Sequence, residues 1–426
     1  MRNFLLTIAC GLAMMLQAQD FDTYFTDNTL RIDYIFSGNS KEQHIAVDQL
    51  NMSPRWYGRR YRLSELPLEG NGQLTVRHHA TGQVIYRHSF STLFQEWLAQ
   101  DESKSLTRAF ENVFLVPMPR DTVDVTVDLR DNRRQIMTSL THTVVPSDVL
   151  IRHIGQHPTP YVTVQQAADT THCIRVAFVA EGYQQNEMDT YMKDVDVAMK
   201  ALFDHEPFRS LRDRFHIVAV QSPSTDSGTS SPARGEWKRT ALGSHFDTFY
   251  MDRYLTTLHL KTLHDWLAGI PYEHIIVLVN TEEYGGGGIL NSYNLSMTHH
   301  PYYPQVVVHE FGHSFGGLGD EYAYEHEAIP MYPHDVEPWE PNLTTLHDFH
   351  GKWEDMIKNG TPIPTPESKN QKTIESRVGV FEGAGYSLEG VYRPAQDCRM
   401  RTNSNPIFCP VCNRALTRLI DFYTKP

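Results

Sequence analysis

The chain has 426 residues, with 38 Lys+Arg against 51 Asp+Glu, a net charge of -13 and 22 His. Its length suits two or three domains of about 100–200 residues each, and 40% hydrophobic with 21% charged residues excludes wholesale disorder and a polytopic membrane protein. No Lys/Arg run supplies a basic face, so the acidity argues against nucleic acid and anionic lipid as partners.

Residues 1–18 have the pattern of a signal peptide: Arg2 precedes the apolar run Phe4 to Leu16, and Ala18 is a small residue before cleavage. Thr7 stands where a lipobox ahead of Cys10 would need Leu. The expectation is export, with the mature chain starting near Gln19. No later apolar run reaches the roughly 18 residues of a membrane span.

Residues 19–150 are expected to form an antiparallel β-sandwich. Gln73–Arg77 and Gln83–Arg87 alternate around Ala80-Thr81-Gly82, and Thr122–Leu129 and Gln135–Val145 alternate around Asp131-Asn132. Thr92–Phe114 is expected to be partly helical. A boundary falls near Pro146-Ser147-Asp148 or at His157–Pro160.

Residues 151–426 change to an α/β pattern, giving an α+β chain as a whole. Cys173–Val179, Phe215–Val220 and His274–Val279 are expected strands. Asn186–Phe203 is an expected helix with Met188, Tyr191, Met192, Val195 and Met199 on one face, and Tyr254–Leu267 a second. Gly285–Gly288 lacks the Lys-Ser/Thr of a phosphate loop and is expected to open an edge strand, Ile289–Ser292.

The chemistry lies in His309-Glu310-Phe311-Gly312-His313, an H-E-x-x-H. Histidines at i and i+4 share one helix face and can reach one zinc ion, while Glu310 can act as general base on an attacking water. A catalytic zinc needs a third protein ligand. If Gly317 rather than Gly316 turns the chain back, Asp320 falls three residues beyond it and is the expected ligand. Glu321 and a more distant glutamate are the alternatives. Met400, in Asp397-Cys398-Arg399-Met400-Arg401, is a candidate Met-turn support. Tyr322 or Tyr392 could polarise an oxyanion. Gly287, Gly288 and Ile289 are candidates for the sheet edge along which a peptide substrate pairs.

The stretch His309–Tyr322 (HEFGHSFGGLGDEY) resembles the bacterial IgA metallopeptidase family, family 64 of the metallopeptidases. So do Val179–Tyr183, Asp226-Ser227-Gly228, Asn280–Gly288, Phe381–Ala384, Tyr392-Arg393-Pro394, Cys398-Arg399-Met400 and Phe408–Cys412. The resemblance covers roughly residues 170–426, and Leu30–Val145 resembles the β-rich N-terminal domain of some members. It implies a zinc-dependent endopeptidase with a metzincin-like domain, a mixed sheet and an active-site helix. It does not imply immunoglobulin A as the substrate.

Other features have plainer expectations. Cys409-Pro410-Val411-Cys412 could be redox-active or half a zinc site; a disulfide from Cys398 to one member of the pair is expected rather than a second, structural zinc, since a clean second C-x-x-C is missing. Asp226, His245 and Asp247 could gather a cation but are expected to be loop residues, and His299-His300 to be surface. Glu321, Glu325 and Glu327 are expected to form a solvated face. Residues 323–372 look like an insertion walling the cleft. The expected function is an exported zinc endopeptidase binding one catalytic Zn2+ and acting on protein or peptide. The alternatives are a noncatalytic glycan- or protein-binding protein on a peptidase scaffold, against which the intact Glu310 speaks, and a zinc hydrolase of a non-peptide amide.

Overall fold

The computed structural model describes residues 21–324, 331–370 and 377–425, so the expected signal peptide lies outside the described residues. After a helical turn, α1 (Phe21–Tyr24), the chain enters two four-stranded sheets. β1 (Phe25–Gly38), β2 (Gln43–Pro54), β5 (Arg108–Pro119) and the short β8 (Arg152–His153) order as β5-β1-β2-β8. β3 (Gly72–His78), β4 (Val84–Phe90), β6 (Val123–Arg130) and β7 (Ile136–Val144) order as β4-β3-β6-β7. Neighbours are antiparallel except β2 and β8. Alternation drives these strands: β6 buries Val123, Val125, Val127 and Leu129 and half-exposes the residues between. Both sheets bury their apolar faces in one core, where the Phe90 and Phe114 rings stand 4.3 Å apart.

The helical expectation for Thr92–Phe114 holds only at its start. Thr92 caps α2 (Leu93–Leu98) by accepting from the Gln95 N–H at 3.2 Å, but Arg108 onward is strand β5. Phe110, Asn112, Phe114 and Val116 alternate inward there, and pairing along β1 fixes them in the sheet.

The second region is built on a six-stranded sheet of order β13-β14-β12-β10-β11-β9. β9 is Tyr161–Gln165, β10 Ile174–Glu181, β11 Phe215–Val220, β12 His274–Val279, β13 Gly286–Ile289 and β14 Tyr293–Met297. The four inner strands are parallel, and β9 and β13 run antiparallel at the ends. Of these, β10, β11 and β12 are mainly apolar on both faces, as a covered parallel sheet requires, whereas β14 carries the buried polar residues Asn294 and Ser296. One face packs against α3 (Met188–Phe203), α5 (Tyr303–Ser314) and α6 (Pro410–Thr424). On the other face Ala177, Val179, Val218, Val220, Val277 and Val279 continue into the core of the N-terminal sheets, so the two regions share a hydrophobic interior.

Two further expectations need correction. The helix expected over Tyr254–Leu267 is only α4 (Leu260–Trp266), because the chain before it is extended: Tyr254 bridges to Gly286, and Thr256 to His245. The edge strand is the glycine run itself, β13, rather than Ile289–Ser292, where the chain turns at Asn291 with φ 52. Without side chains Gly286 and Gly288 lie directly against α5. A Cβ on Gly286 would stand 2.7 Å from Glu310 Oε1, and one on Gly288 2.5 Å from the Glu310 backbone oxygen.

Candidate active site

Helix α5 carries His309, Glu310 and His313, and its far side is the apolar row Tyr303, Val307, Val308 and Phe311 in the core. The helix ends at Ser314, and the chain turns through Gly316 and Gly317. Gly316 is packed against Gly312 O, and Gly317 takes the left-handed conformation at φ +59, which returns the chain toward the histidines. Asp320 arrives there buried. Its Oδ1 lies 3.1 Å from His309 Nε2 and 3.3 Å from His313 Nε2, and the two Nε2 atoms are 3.0 Å apart. Glu321 points elsewhere, so the structure brings Asp320 and not Glu321 to the histidine pair.

The hydrogen bonds around this trio leave three electron-pair donors facing one another. His309 Nδ1 lies 3.0 Å from Arg399 O, and His313 Nδ1 lies 2.6 Å from Leu318 O. A carbonyl only accepts, so each Nδ1 carries the proton and each Nε2 faces inward. Asp320 Oδ1 is buried without a hydrogen bond of acceptable geometry, although both rings are near it. Ligands at about 2.0–2.1 Å from a tetrahedral zinc stand about 3.3 Å from each other. The observed separations match that spacing, so the donor set fits the ion.

Electrostatics agree. Burial opposes charge on His313, yet the Asp320 carboxylate outweighs it and raises the imidazole to about 9. Burial likewise opposes ionised Asp320, but His313 and His309 hold it well below the ordinary carboxylate range. The space between the three donors therefore favours positive charge. Glu310 is buried beside them, and burial raises its pKa.

The surroundings fix the trio. Met400 is fully buried beneath α5, with its sulfur where a Cβ on Gly312 would meet it at 2.7 Å. The residue before it supplies the carbonyl for His309. Asn342, from the expected cleft-walling insertion, bonds Gly319 N, Gly319 O and Glu321 Oε1, bracing the return segment. Glu325 and Glu327 lie outside the described residues; Glu321 is fully buried, so the expected solvated face fails there. Tyr322 packs in a ring cluster with Tyr324 and Tyr386, whereas Tyr392 sits on the β15 (Phe381–Ala384)–β16 (Ser387–Arg393) hairpin, bonded to Thr344 by its backbone. Asp226, His245 and Asp247 bind loop backbone instead of converging, and His299 pairs with Asp194 at 3.0 Å.

Three neighbours escaped the sequence. Tyr386 donates to Asp320 Oδ2 at 2.5 Å from 66 residues away. Glu96 of α2 accepts from Tyr254 and is raised to about 7 by burial. Arg253 bonds Tyr324 and, with Tyr284, His300, Tyr302, Asn403 and Ser404, lines an open cleft of roughly 490 Å³. None carries a local spacing signal. The nearest hints are the two glycines just before Tyr386, Gly383 and Gly385, both at positive φ.

At β13 the outer side of the strand is partly taken. Gly286 N–H donates to Arg253 O and Gly286 O accepts from Leu255 N–H, both at 3.4 Å. Gly287 and Ile289 are buried, and Gly288 is half-buried.

The family described as IgA Peptidase M64 matches residues 162–376 and 370–420, and that described as Peptidase M64 N-terminus matches residues 20–141. No curated protein matches the chain. Among the described residues, no helix is long and apolar enough to cross a membrane.

Proposed function

The chain belongs to the IgA Peptidase M64 family, and from that premise we propose that it is an exported, zinc-dependent endopeptidase. The observation that carries this is the convergence of His309 Nε2, His313 Nε2 and Asp320 Oδ1, with both Nδ1 atoms committed to carbonyls. These three side chains would hold the zinc. When bound, zinc polarises a scissile carbonyl and brings the pKa of a water toward about 7.

The chain's own residues do the rest. A carboxylate oxygen of Glu310 takes the proton of the attacking water and passes it to the leaving amine nitrogen. The burial that raises its pKa suits it to both halves of that transfer. Tyr386 fixes Asp320 through Oδ2 and leaves Oδ1 directed at the histidines. Arg253 is charged, borders the cleft and acts on Asp320 and Glu310, so it is placed to orient a substrate carbonyl or carboxylate. An extended peptide would pair at Gly288, which by strand period presents its backbone to the same side as Gly286 and lies beside His313.

Export rests on Arg2 and the apolar run Phe4–Leu16, and N-terminal sequencing of secreted protein should begin near Gln19. Catalysis is tested with the full chain and a peptide library, before and after chelation. Cleavage lost on chelation and restored by stoichiometric zinc supports the function; an intact library with the zinc-loaded chain overturns it.

A further inference from the structure

A second donor cluster lies behind the first. Cys398, Cys409, Cys412 and Glu321 each offer one ligand atom within 4.8 Å of the others, and all four residues are buried. No disulfide links these thiols, contrary to the pairing expected from sequence. Cys398 Sγ and Cys412 Sγ stand 3.8 Å apart, against about 2.05 Å for a disulfide. Thiolates at about 2.3 Å from a tetrahedral zinc stand about 3.8 Å from one another. Glu321 Oε1 lies 3.1 Å from Cys412 Sγ and accepts from Asn342 at 3.0 Å, while Oε2 is buried with no partner. A carboxylate so enclosed needs a cation or proton to offset its desolvation.

The backbone is arranged for sulfur acceptors. Cys409 N–H points to Cys398 Sγ at 3.2 Å, and Cys412 N–H points to Cys409 Sγ at 3.5 Å. Cys409 caps α6, so its sulfur sits at the positive end of a 15-residue helix. The Arg393 guanidinium also acts on Glu321. These contacts favour charged donors against the burial that raises the pKa values of Glu321, Cys398 and Cys412, and a bound cation would offset that burial.

We propose that Cys398, Cys409, Cys412 and Glu321 bind a second, structural Zn2+. Three thiolates and one carboxylate form a closed tetrahedral set, with no place for water or substrate. The ion clamps three segments behind the active site. Glu321 follows Asp320 directly, and Glu321 N–H also donates to Met400 O at 2.9 Å. Cys398 precedes Arg399, whose carbonyl holds His309, and Met400, which lies beneath Gly312. Cys409 and Cys412 fix the start of α6. This replaces the expected disulfide: the fourth ligand comes from Glu321, not from a second C-x-x-C.

The inference is independent of peptidase activity and is tested on the full chain with metal alone. Purified wild type should hold two zinc ions, and the His309→Ala/His313→Ala variant one. Cobalt substitution should give thiolate-to-cobalt charge-transfer absorption in wild type, retained in that double variant. Denatured, chelated protein should show free thiols at Cys398, Cys409 and Cys412. A chain with one zinc that vanishes in the histidine variant overturns the proposal, as does absence of the thiolate band or a mass lower by the two hydrogens of a disulfide. A Cys398→Ser/Cys412→Ser variant should keep one zinc if it folds; the wild-type cobalt spectrum decides the matter if it does not. Loss of peptide cleavage with the thiolate band intact would refute the catalytic function alone.

Discussion

A methyl group on Gly288 would stand 2.5 Å from the backbone oxygen of Glu310 and 3.1 Å from Cβ of His313. The edge strand and the histidine helix therefore touch backbone to backbone, with no flexible side chain to yield. Gly288→Ala should push β13 and α5 apart, costing about 1–3 kcal/mol of stability and lowering activity at least about tenfold. Gly351→Ala, where nothing lies within 4 Å, is the control and should leave both unchanged. Thermal denaturation and initial rates check the pair.

Tyr386 reaches Asp320 from a distant hairpin and donates to the oxygen turned away from the histidines. Removing such a support from a ligand typically lowers metal affinity about 10–100-fold. Tyr386→Phe should therefore lose zinc to a competing chelator more readily, with activity recovering in excess zinc. Asp320→Ala should lose the ion held by the histidines, and Glu321→Ala should retain it. Metal analysis on His309-dependent zinc separates these outcomes; the reverse pattern would move the third ligand to Glu321.

His274 opens β12 with its ring edge-on to Phe315, centroids 4.9 Å apart, and burial pushes its pKa down to about 3. The unfolded imidazole takes a proton near pH 6.5, while the folded one refuses it until about pH 3. Acid therefore favours the unfolded chain across that window, by about 1.4 kcal/mol per pH unit. His274→Leu removes this dependence. Its melting temperature should fall less than that of wild type between about pH 6.5 and pH 4.5. Equal falls would show that His274 is not the group responsible.

Arg31 on β1 bonds buried Asp33 at 2.7 Å and reaches Asp265 of α4 at 2.6 Å, tying the N-terminal sheet to the second region. Asp265 is 58% exposed, so Asp265→Asn should cost at most about 1 kcal/mol. Arg31→Leu strands Asp33 in the interior and should cost about 3–5 kcal/mol. Denaturant unfolding measures both, and similar costs would contradict the burial argument.

The sequence reveals most where structure is local. His309, Glu310 and His313 lie within one helical turn of each other, and the glycines after them set where Asp320 returns. β10, β11 and β12 are legible because apolar runs of that length suit a covered parallel sheet, whereas β14, broken by Asn294 and Ser296, gives no such run. Gly286–Ile289 is harder: four residues with one side chain among them carry no alternation, and only the helix above explains the strand. Glu321 resembles a solvated acid because the thiol that bonds it lies 91 residues away. Tyr386, Glu96 and Arg253 come from separate hairpins, helices and loops, so only tertiary packing gathers them.

The central claim is that Glu310 moves protons at a zinc held by His309, His313 and Asp320. Glu310→Gln keeps the side chain's size and removes its basicity, and the metal ligands are untouched. Zinc content and hydrolysis of a peptide substrate, measured on the same preparation, test the claim most directly. The expected result is unchanged zinc with the rate reduced by about 10²–10⁴-fold. Full zinc with an undiminished rate would contradict it.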